Sequence, residues 1–296
     1  MLALDHAWSR LPNPFRGTRM MRSTAPVTFS RYSLDVSGAR VLIVVPTLGE
    51  RHEFLEKNLE SIREQSIPVD IVIVAPVGNR TAEAASERFG AQLIPDPGSL
   101  PAAINAGVAA ARSQHEFVNW LGDDDLLEPD SLAATTAALD SDRGAVVAFG
   151  HCRYVDDQGR ELWISRAGSW APRILSWGPD LIPQPGMLVR ADAWRTAGGV
   201  DESYRFAFDL DLLLRLRRLG RLLPVNQVVS AFRWHADSLT VGDRSTNLRE
   251  SERARRDALP EFARGISVMW EKPVQAATRL AAHRVSARAR KLSNRA

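Results

Sequence analysis

Three consecutive carboxylates, Asp123, Asp124 and Asp125, follow a mostly apolar run that ends at Gly122. Adjacent like charges repel one another, and a strand-to-loop turn does not offset that repulsion by itself. A divalent cation would offset it, because Mg²⁺-type sites use one or two protein carboxylates together with water and substrate phosphates. The pattern therefore predicts a metal site. The alternative interpretation is a solvated acidic turn that caps a helix from Glu128 onward.

The segments before this turn alternate between two kinds of pattern. Short runs rich in β-branched residues predict buried strands, and charged segments with apolar residues at helical spacing predict helices between them. The predicted strands are 41–45, 69–74, 92–94 and 117–121. This order is typical of a doubly wound α/β sheet, which binds ligands at the carboxyl ends of its strands. No GxGxxG follows the first strand, which argues against a dinucleotide fold.

The second half of the chain has a different pattern. A strand-like stretch, a turn and a returning strand predict a hairpin, and a segment rich in Trp and Pro predicts an irregular binding loop. Later segments predict a strand, a short helix capped by Asp192, a leucine-rich helix that begins with Asp209, and a last strand. The hairpin strands are 145–155 and 161–164, the loop is 165–185, and the later elements are 186–190, 192–198, 206–220 and 228–235.

Composition excludes several classes of protein. The single cysteine, Cys152, among 296 residues excludes an internal disulfide and a cysteine-based zinc cluster, and it fits a reducing compartment. No apolar run approaches the roughly 20 residues of a membrane helix, and the charged first ten residues do not indicate secretion. The net charge is only +3, and no basic helix alternates with aromatics, so nucleic-acid binding is not expected. A cytoplasmic protein is expected.

Five blocks of the sequence together resemble the family 2 glycosyltransferases, which have the GT-A fold. The blocks are VLIVVPTLGER, GSLPAAINAG, WLGDDDLLEPDSL, GMLVRADAWRTAGGVDES and FDLDLLLRL, within residues 41–240. The resemblance implies an α/β fold in which a GT-A-type doubly wound nucleotide-binding sheet merges with a smaller acceptor-binding half. The expected parts are a basic leader (1–38), a nucleotide-sugar half (39–143), an acceptor half (144–260) and a basic C-terminal helix or tail (261–296).

The resemblance also implies roles for the acidic residues. Asp124 would bind Mn²⁺ or Mg²⁺ directly, Asp125 would orient metal-bound water, and Asp123 would lie near the ribose of the nucleotide. Asp209 would be the catalytic base, although it could instead be an ordinary carboxylate at a helix start, where the helix dipole lowers a pKa. Asp211 is expected to be structural.

Further expected contacts lie in the turns and at the last strand. Pro46, Thr47 and Glu50 would lie near the nucleotide base and ribose. Arg233 and His235 form an Arg-x-His pattern expected near the diphosphate or the metal, with a satisfied surface histidine as the alternative for His235.

Two amides are weaker candidates for substrate binding. Asn105 is one, with stabilisation of a turn as the preferred alternative, and Gln184 is the other. The residues at 75–79 lack the carboxylate that this family uses to read the base, so Asn79, Arg80 or backbone groups would do so, and UDP, TDP and GDP sugars stay open as donors. Trp170 and Trp177 could stack on a sugar or fill gaps in the core.

The predicted function is metal-dependent, inverting transfer of a sugar from a nucleoside diphosphate to a hydroxyl of a glycan or lipid-linked acceptor in cell-envelope synthesis. The alternatives are a polyprenyl-phosphate sugar synthase and an inactive nucleotide- or sugar-binding module. The basic residues after 274 predict peripheral contact with the inner face of the plasma membrane, and a solvated basic tail is the alternative.

Overall fold

The computed structural model describes residues 38–166, 168–176, 180–234 and 244–259. Its first part alternates strands and helices as the sequence predicts. In chain order these elements are β1 Val41–Pro46, α1 His52–Arg63, β2 Val69–Ala75, α2 Arg80–Phe89, β3 Gln92–Pro95, α3 Leu100–Ala109 and β4 Phe117–Trp120. The predicted bounds of the four strands lie within one residue of these.

Strand β1 lies between β2 and β4, and all three are parallel. Val41 is opposite both Val69 and Phe117, and Val44 is opposite Trp120. Because the strands are in register at both ends, the turns that follow β1, β2 and β4 meet at one edge of the sheet.

The second part contains shorter and more varied elements. They are β5 Leu126–Leu127, α4 Ser131–Ser141, β6 Ala145–Val155, β7 Glu161–Ser165, α5 Ala171–Ile174, β8 Leu188–Arg190, α6 Ala191–Ala197, α7 Phe208–Leu219, β9 Arg221–Arg233 and α8 Arg244–Ala258. Three sequence predictions are corrected here. The strand 186–190 begins only at Leu188, the last strand begins seven residues earlier than predicted, and the 165–185 segment contains the short helix α5.

The described strands form one mixed sheet in the order β3-β2-β1-β4-β8-β6-β9-β5, with β7 paired to β6. Strand β8 is antiparallel to both β4 and β6, whereas β6 and β9 are parallel. The two-residue strand β5 follows the acidic turn directly and pairs with β9 at the far edge. The turn after β4 therefore connects a central strand of the sheet to its far edge.

The core lies on both faces of the sheet because β1 is buried on both. Val41, Ile43 and Val45 pack on one face with Leu55, Leu59 and Ile62 of α1, while Leu42 and Val44 pack on the other with residues of α3 and α7. Each fully buried aliphatic side chain contributes about 1.5–3 kcal/mol relative to an exposed one. No helix among the described residues is both long and apolar enough to span a bilayer.

Candidate active site

The turn after β1 reaches the acidic turn through Thr47. The Thr47 hydroxyl donates to Asp123 Oδ2 at 2.6 Å and accepts from the Gly49 N–H at 2.9 Å. Gly49 has a φ of 71°, and the side chain of Asn79 lies where a Cβ on Gly49 would be. Only glycine suits this position without strain, so the conformation of the turn depends on it.

Arg51 provides the positive charge nearest to the acidic turn. Its Nη1 lies 2.6 Å from Asp124 Oδ2, and its Nη2 lies 3.2 Å from Asp123 Oδ1. Burial favours a lower pKa for Arg51, but the charges of these two carboxylates outweigh it and the pKa is raised. Sequence reasoning missed this residue, because its only signal is a basic side chain five positions after the end of β1.

Asp125 is almost entirely buried and faces β9. Its Oδ1 accepts from the Arg233 N–H at 3.1 Å, and Asn58 Nδ2 donates to the carbonyls of Gly122 and Asp125, each at 2.8 Å. Burial, followed by the charges of Asp124 and Asp123, raises the pKa of Asp125 well above its ordinary value. These contacts hold the whole turn rigidly.

The alternative of a solvated, helix-capping turn is wrong. Asp123 and Asp125 are only 6% and 5% exposed, and α4 begins at Ser131. The N-terminal cap of α4 is Asp130, whose side chain makes no capping hydrogen bond. Asp192 is not a cap either, because it lies in the first turn of α6 and the cap position is Arg190.

Arg233 supports the acidic turn from behind. Its Nε donates to the Asp124 carbonyl at 3.2 Å, and its Nη1 donates to the carbonyls of Asp156 and Asp157 at 3.0 and 2.9 Å. The guanidinium also lies 4.3 Å from the ring centroid of Phe54, and the residue is 3% exposed. These contacts give Arg233 a positioning role, and its predicted contact with a diphosphate stays a prediction.

Asp209 lies in the first turn of α7, half-buried. Its Oδ1 accepts from the Leu210 N–H at 2.7 Å. Burial raises the pKa of Asp209 to about 6, despite the opposing effect of the backbone hydrogen bonds. The backbone N–H groups at the helix start do lower this pKa, but desolvation is the larger effect and the net shift is upward.

A second carboxyl, Asp180, lies close enough to Asp209 to interact electrostatically. Burial and then the charge of Asp209 raise the pKa of Asp180 to about 7, while the Ile182 N–H and Arg255 oppose this shift. The Ile182 N–H donates to Asp180 Oδ1 at 3.0 Å. Sequence reasoning missed Asp180, and its only signal was its position in the Pro-rich segment.

Asp211 belongs to a different set of contacts. Its carboxylate accepts from Arg215 Nε and Nη2 at 2.9 and 2.6 Å within α7. This ion pair within one helix agrees with the structural role expected for Asp211.

Three predicted amide or turn residues make contacts within the protein. Asn105 donates to the Val200 carbonyl at 2.9 Å and accepts from the Val200 N–H at 3.0 Å, so it connects α3 to the turn after α6 instead of stabilising the turn before its own helix. Gln184 Nε2 donates to the Trp120 carbonyl at the end of β4 at 2.8 Å. Asn79 caps α2 and donates to the Leu48 carbonyl at 2.7 Å.

Pro46, Glu50 and His235 are the remaining residues predicted for the site. Pro46 is the buried last residue of β1, and Glu50 is exposed at the rim of the same turn. His235 lies outside the described residues, and so does the basic tail. Substrate contacts by Pro46, Thr47, Glu50, Asn105 and Gln184 therefore stay predictions.

The acidic turn has donors suited to a hard cation. Within the described ranges no group of three or more His, Cys, Asp or Glu side chains is arranged around a common point. Asp124 has the most exposed side chain of the three aspartates that could reach an ion, at 18% against 8% for Asp123. A single protein carboxylate fits the Mg²⁺-type site, in which substrate phosphates and water complete the shell.

Solved glycosyltransferases share this architecture. S. aureus TarS 1–349 superposes with a TM-score of 0.55 at 16% identity, covering 76% of this chain and 70% of that one. The same fragment in complex with UDP gives a TM-score of 0.56 at 15% identity, with 76% and 68% covered. The mannosyltransferase PcManGT from Pyrobaculum calidifontis, in complex with GDP-Man and Mn²⁺, gives 0.52 at 16% identity, with 82% and 79% covered. These likenesses show the GT-A fold.

A comparison with curated proteins found no match. The family comparison did find one, and it covers the acidic turn together with β1, β4 and the turn after β1. Residues 42–194, just over half of the chain, match Glycosyl transferase family 2. The mixed sheet, the acidic turn at the end of β4 and this match agree, and the chain belongs to glycosyl transferase family 2.

Proposed function

We propose that this glycosyltransferase is metal-dependent and inverting, and that it transfers a sugar from a nucleoside diphosphate to an acceptor hydroxyl. The observation that carries the proposal is the acidic turn, in which Asp124 is the most exposed of three carboxylates held rigidly at the end of a buried strand. Asp180 and Asp209 supply a separate carboxyl pair with raised pKa values.

The donor diphosphate is assigned to the acidic turn. Asp124 would hold Mn²⁺ or Mg²⁺, with Asp125 and His235 as the further candidates, and Asp123 would lie near the ribose. The bound ion would neutralise the charge that develops on the leaving diphosphate. One similar structure is TarS in complex with UDP, and another is PcManGT in complex with GDP-Man and Mn²⁺, which supports a nucleotide-sugar donor but leaves the base open.

The acceptor proton is assigned to Asp209. With a pKa of about 6, the Asp209 carboxyl is more basic than an ordinary aspartate. A general base works best when its pKa lies near the operating pH. A hydroxyl that attacks from the side opposite the leaving diphosphate inverts the anomeric centre, as in an inverting glycosidase.

The acceptor class and the location are inferred from the basic residues near the C-terminus. A glycan or lipid-linked acceptor in the cell envelope is suggested by residues 274–296, in which Arg284, Arg288 and Arg290 occur without an acidic residue. Such a segment favours contact with anionic lipid on the inner face of the plasma membrane. Sedimentation with anionic liposomes, using the chain with and without residues 274–296, tests this assignment.

The donor site is tested by thermal shift with UDP, TDP, GDP and CDP, each with and without Mn²⁺, on the wild type and on Asp124→Asn. A nucleotide at 100 times its Kd adds about 2.7 kcal/mol of stability, which raises the melting temperature by a few degrees. We expect one nucleotide to stabilise the wild type in the presence of Mn²⁺ and to lose most of this effect in Asp124→Asn. Equal stabilisation of both proteins would remove the metal role of Asp124, and no stabilisation by any nucleotide would favour the inactive module.

A further inference from the structure

Four aromatic side chains form a patch at the ends of three neighbouring strands. Tyr154 on β6 is opposite Trp163 on β7 and opposite Phe232 on β9, and Trp234 follows β9. The Tyr154 and Trp163 rings stack with centroids 4.4 Å apart and an interplanar angle of 13°. Trp234 meets Trp163 edge to face at 5.9 Å, and Phe232 lies 5.3 Å from Tyr154. These four residues are named the aromatic patch.

The rings of the aromatic patch pack on one another and not into the core. None of the four belongs to either of the two hydrophobic clusters of the described sheet, and each is half-buried. Large aromatic residues that stay partly exposed side by side are typical of ligand or partner surfaces. Trp170, the loop tryptophan that the sequence offered for stacking, is 50% exposed and makes none of the ring contacts of the patch.

The aromatic patch is continuous with the acidic turn. Arg233, whose N–H holds Asp125 Oδ1 at 3.1 Å, lies between Phe232 and Trp234 in the chain. On its other side the patch approaches Asp180, since burial and then nearby groups, Asp125 and Asp180 among them, raise the pKa of Tyr154. Asp180 in turn interacts with Asp209. The patch therefore adjoins the acidic turn through Arg233, and Tyr154 lies within electrostatic range of Asp180.

We propose that the aromatic patch is an acceptor subsite that stacks on the C–H face of a pyranose ring and directs one of its hydroxyls towards Asp209. This proposal rests on the proposed function. One face of a pyranose presents C–H groups, which favour the electron-rich face of an aromatic ring, and its rim presents hydroxyls, which donate to carboxylates such as Asp180. Aromatic lining with a few placed polar groups is the usual composition of a small-molecule site.

The position of the patch favours the acceptor over the donor. The donor diphosphate is assigned to the turn at the end of β4, next to β1, whereas the patch lies on β6, β7 and the end of β9. A sugar on the patch would thus contact the second part of the chain, to which Asp180 and Asp209 also belong. The same position predicts that the patch and the nucleotide can be occupied together.

Saturation-transfer NMR with the methyl glycosides of glucose, galactose, mannose and N-acetylglucosamine tests the subsite. We expect at least one glycoside to receive saturation from the wild type, most strongly at its ring C–H protons. Trp163→Ala and Trp234→Ala should each lower the transfer about tenfold, and the matched control Trp170→Ala should leave it unchanged. The absence of transfer from the wild type to every glycoside, or unchanged transfer in both patch variants, would overturn the proposal.

Two further measurements make the result specific. Saturation transfer to the glycoside should persist when the nucleotide found by thermal shift is added with Mn²⁺. If the nucleotide displaced the glycoside, the pyranose ring would lie in the donor site and the acceptor assignment would be wrong. Trp234→Phe keeps an aromatic face and should retain most of the transfer, while Trp234→Leu should not, so the proposal stays testable if an alanine variant fails to fold. If a nucleotide stabilises the protein in the thermal-shift assay but no glycoside receives saturation, the acceptor subsite is refuted. The proposed function is not affected by that result.

Discussion

Two pairs of aspartates in this molecule have opposite surroundings. Asp123 and Asp124 lie within 3.2 and 2.6 Å of the guanidinium of Arg51, and Thr47 also donates to Asp123. Asp180 and Asp209 each accept a hydrogen bond from a backbone N–H, and burial raises both pKa values. The first pair faces a guanidinium, a cation that a metal ion could replace, whereas the raised pKa values of the second suit proton transfer near neutral pH.

Among the substitutions that test this contrast, Asp209→Asn should have the largest effect. If Asp209 removes the acceptor proton, the turnover number should fall by about 10²- to 10⁴-fold, since the amide cannot act as a base. Thermal shift with the nucleotide and Mn²⁺ should be unchanged, because the donor site is separate. Turnover within a few-fold of the wild type would instead favour an acceptor that is already an anion, such as a polyprenyl phosphate.

Replacement of Arg233, whose guanidinium lies behind the acidic turn, should have the next largest effect, here on the stability of the protein. Arg233→Met leaves the carbonyls of Asp124, Asp156 and Asp157 without their donor in a buried position. We expect the free energy of unfolding in urea to fall by about 2–4 kcal/mol. Arg143→Met, at an exposed position, is the control and should change it by less than about 0.5 kcal/mol. Similar stabilities for the two variants would contradict the positioning role.

The second pair should make the folded state sensitive to pH. A carboxyl whose pKa is raised on folding binds more protons in the native than in the unfolded state, so its contribution to stability is present at low pH and is lost as the pH rises towards about 7. Asp180→Asn should therefore stabilise the protein by about 1–3 kcal/mol at pH 7.5 and have little effect at pH 4. Urea unfolding at both pH values measures this difference. If Asp180→Asn changed the stability equally at both, the raised pKa of Asp180 would not be the cause of the change.

Arg51→Gln tests the first pair and should have the smallest effect. Without the guanidinium, Asp123 and Asp124 repel each other, so the metal-free protein should lose about 1 kcal/mol of stability. The stabilisation by Mn²⁺ alone, measured by thermal shift, should increase, because a cation is then more strongly attracted to the turn. If Mn²⁺ stabilised the variant less than the wild type, Arg51 would help the acidic turn to bind the ion. It would then not simply balance the carboxylate charges in the metal-free protein.

The strands and the acidic turn could be predicted from sequence because their signals are local. The apolar run at 41–45 and the three aspartates are each visible within a few residues. Arg51 and Asp180 could not be predicted, since their partners lie 73 and 29 positions away and their importance depends on burial. The net rise in the pKa of Asp209 could not be predicted for the same reason: a helix start is visible in the sequence, and desolvation is not.

The pairing of β5 with β9 has a consequence for the synthesis of the chain. Asp123 to Asp125 are encoded in the first half, but the N–H that holds Asp125 and the strand that receives Leu126 and Leu127 belong to residues 230–233. A nascent chain that ends at residue 143 contains the whole acidic turn and lacks the strand that holds it. The contacts of the turn with β9 can therefore form only after β9 has left the ribosome, so a truncated product would carry the acidic turn with the contacts of Thr47, Arg51 and Asn58 alone.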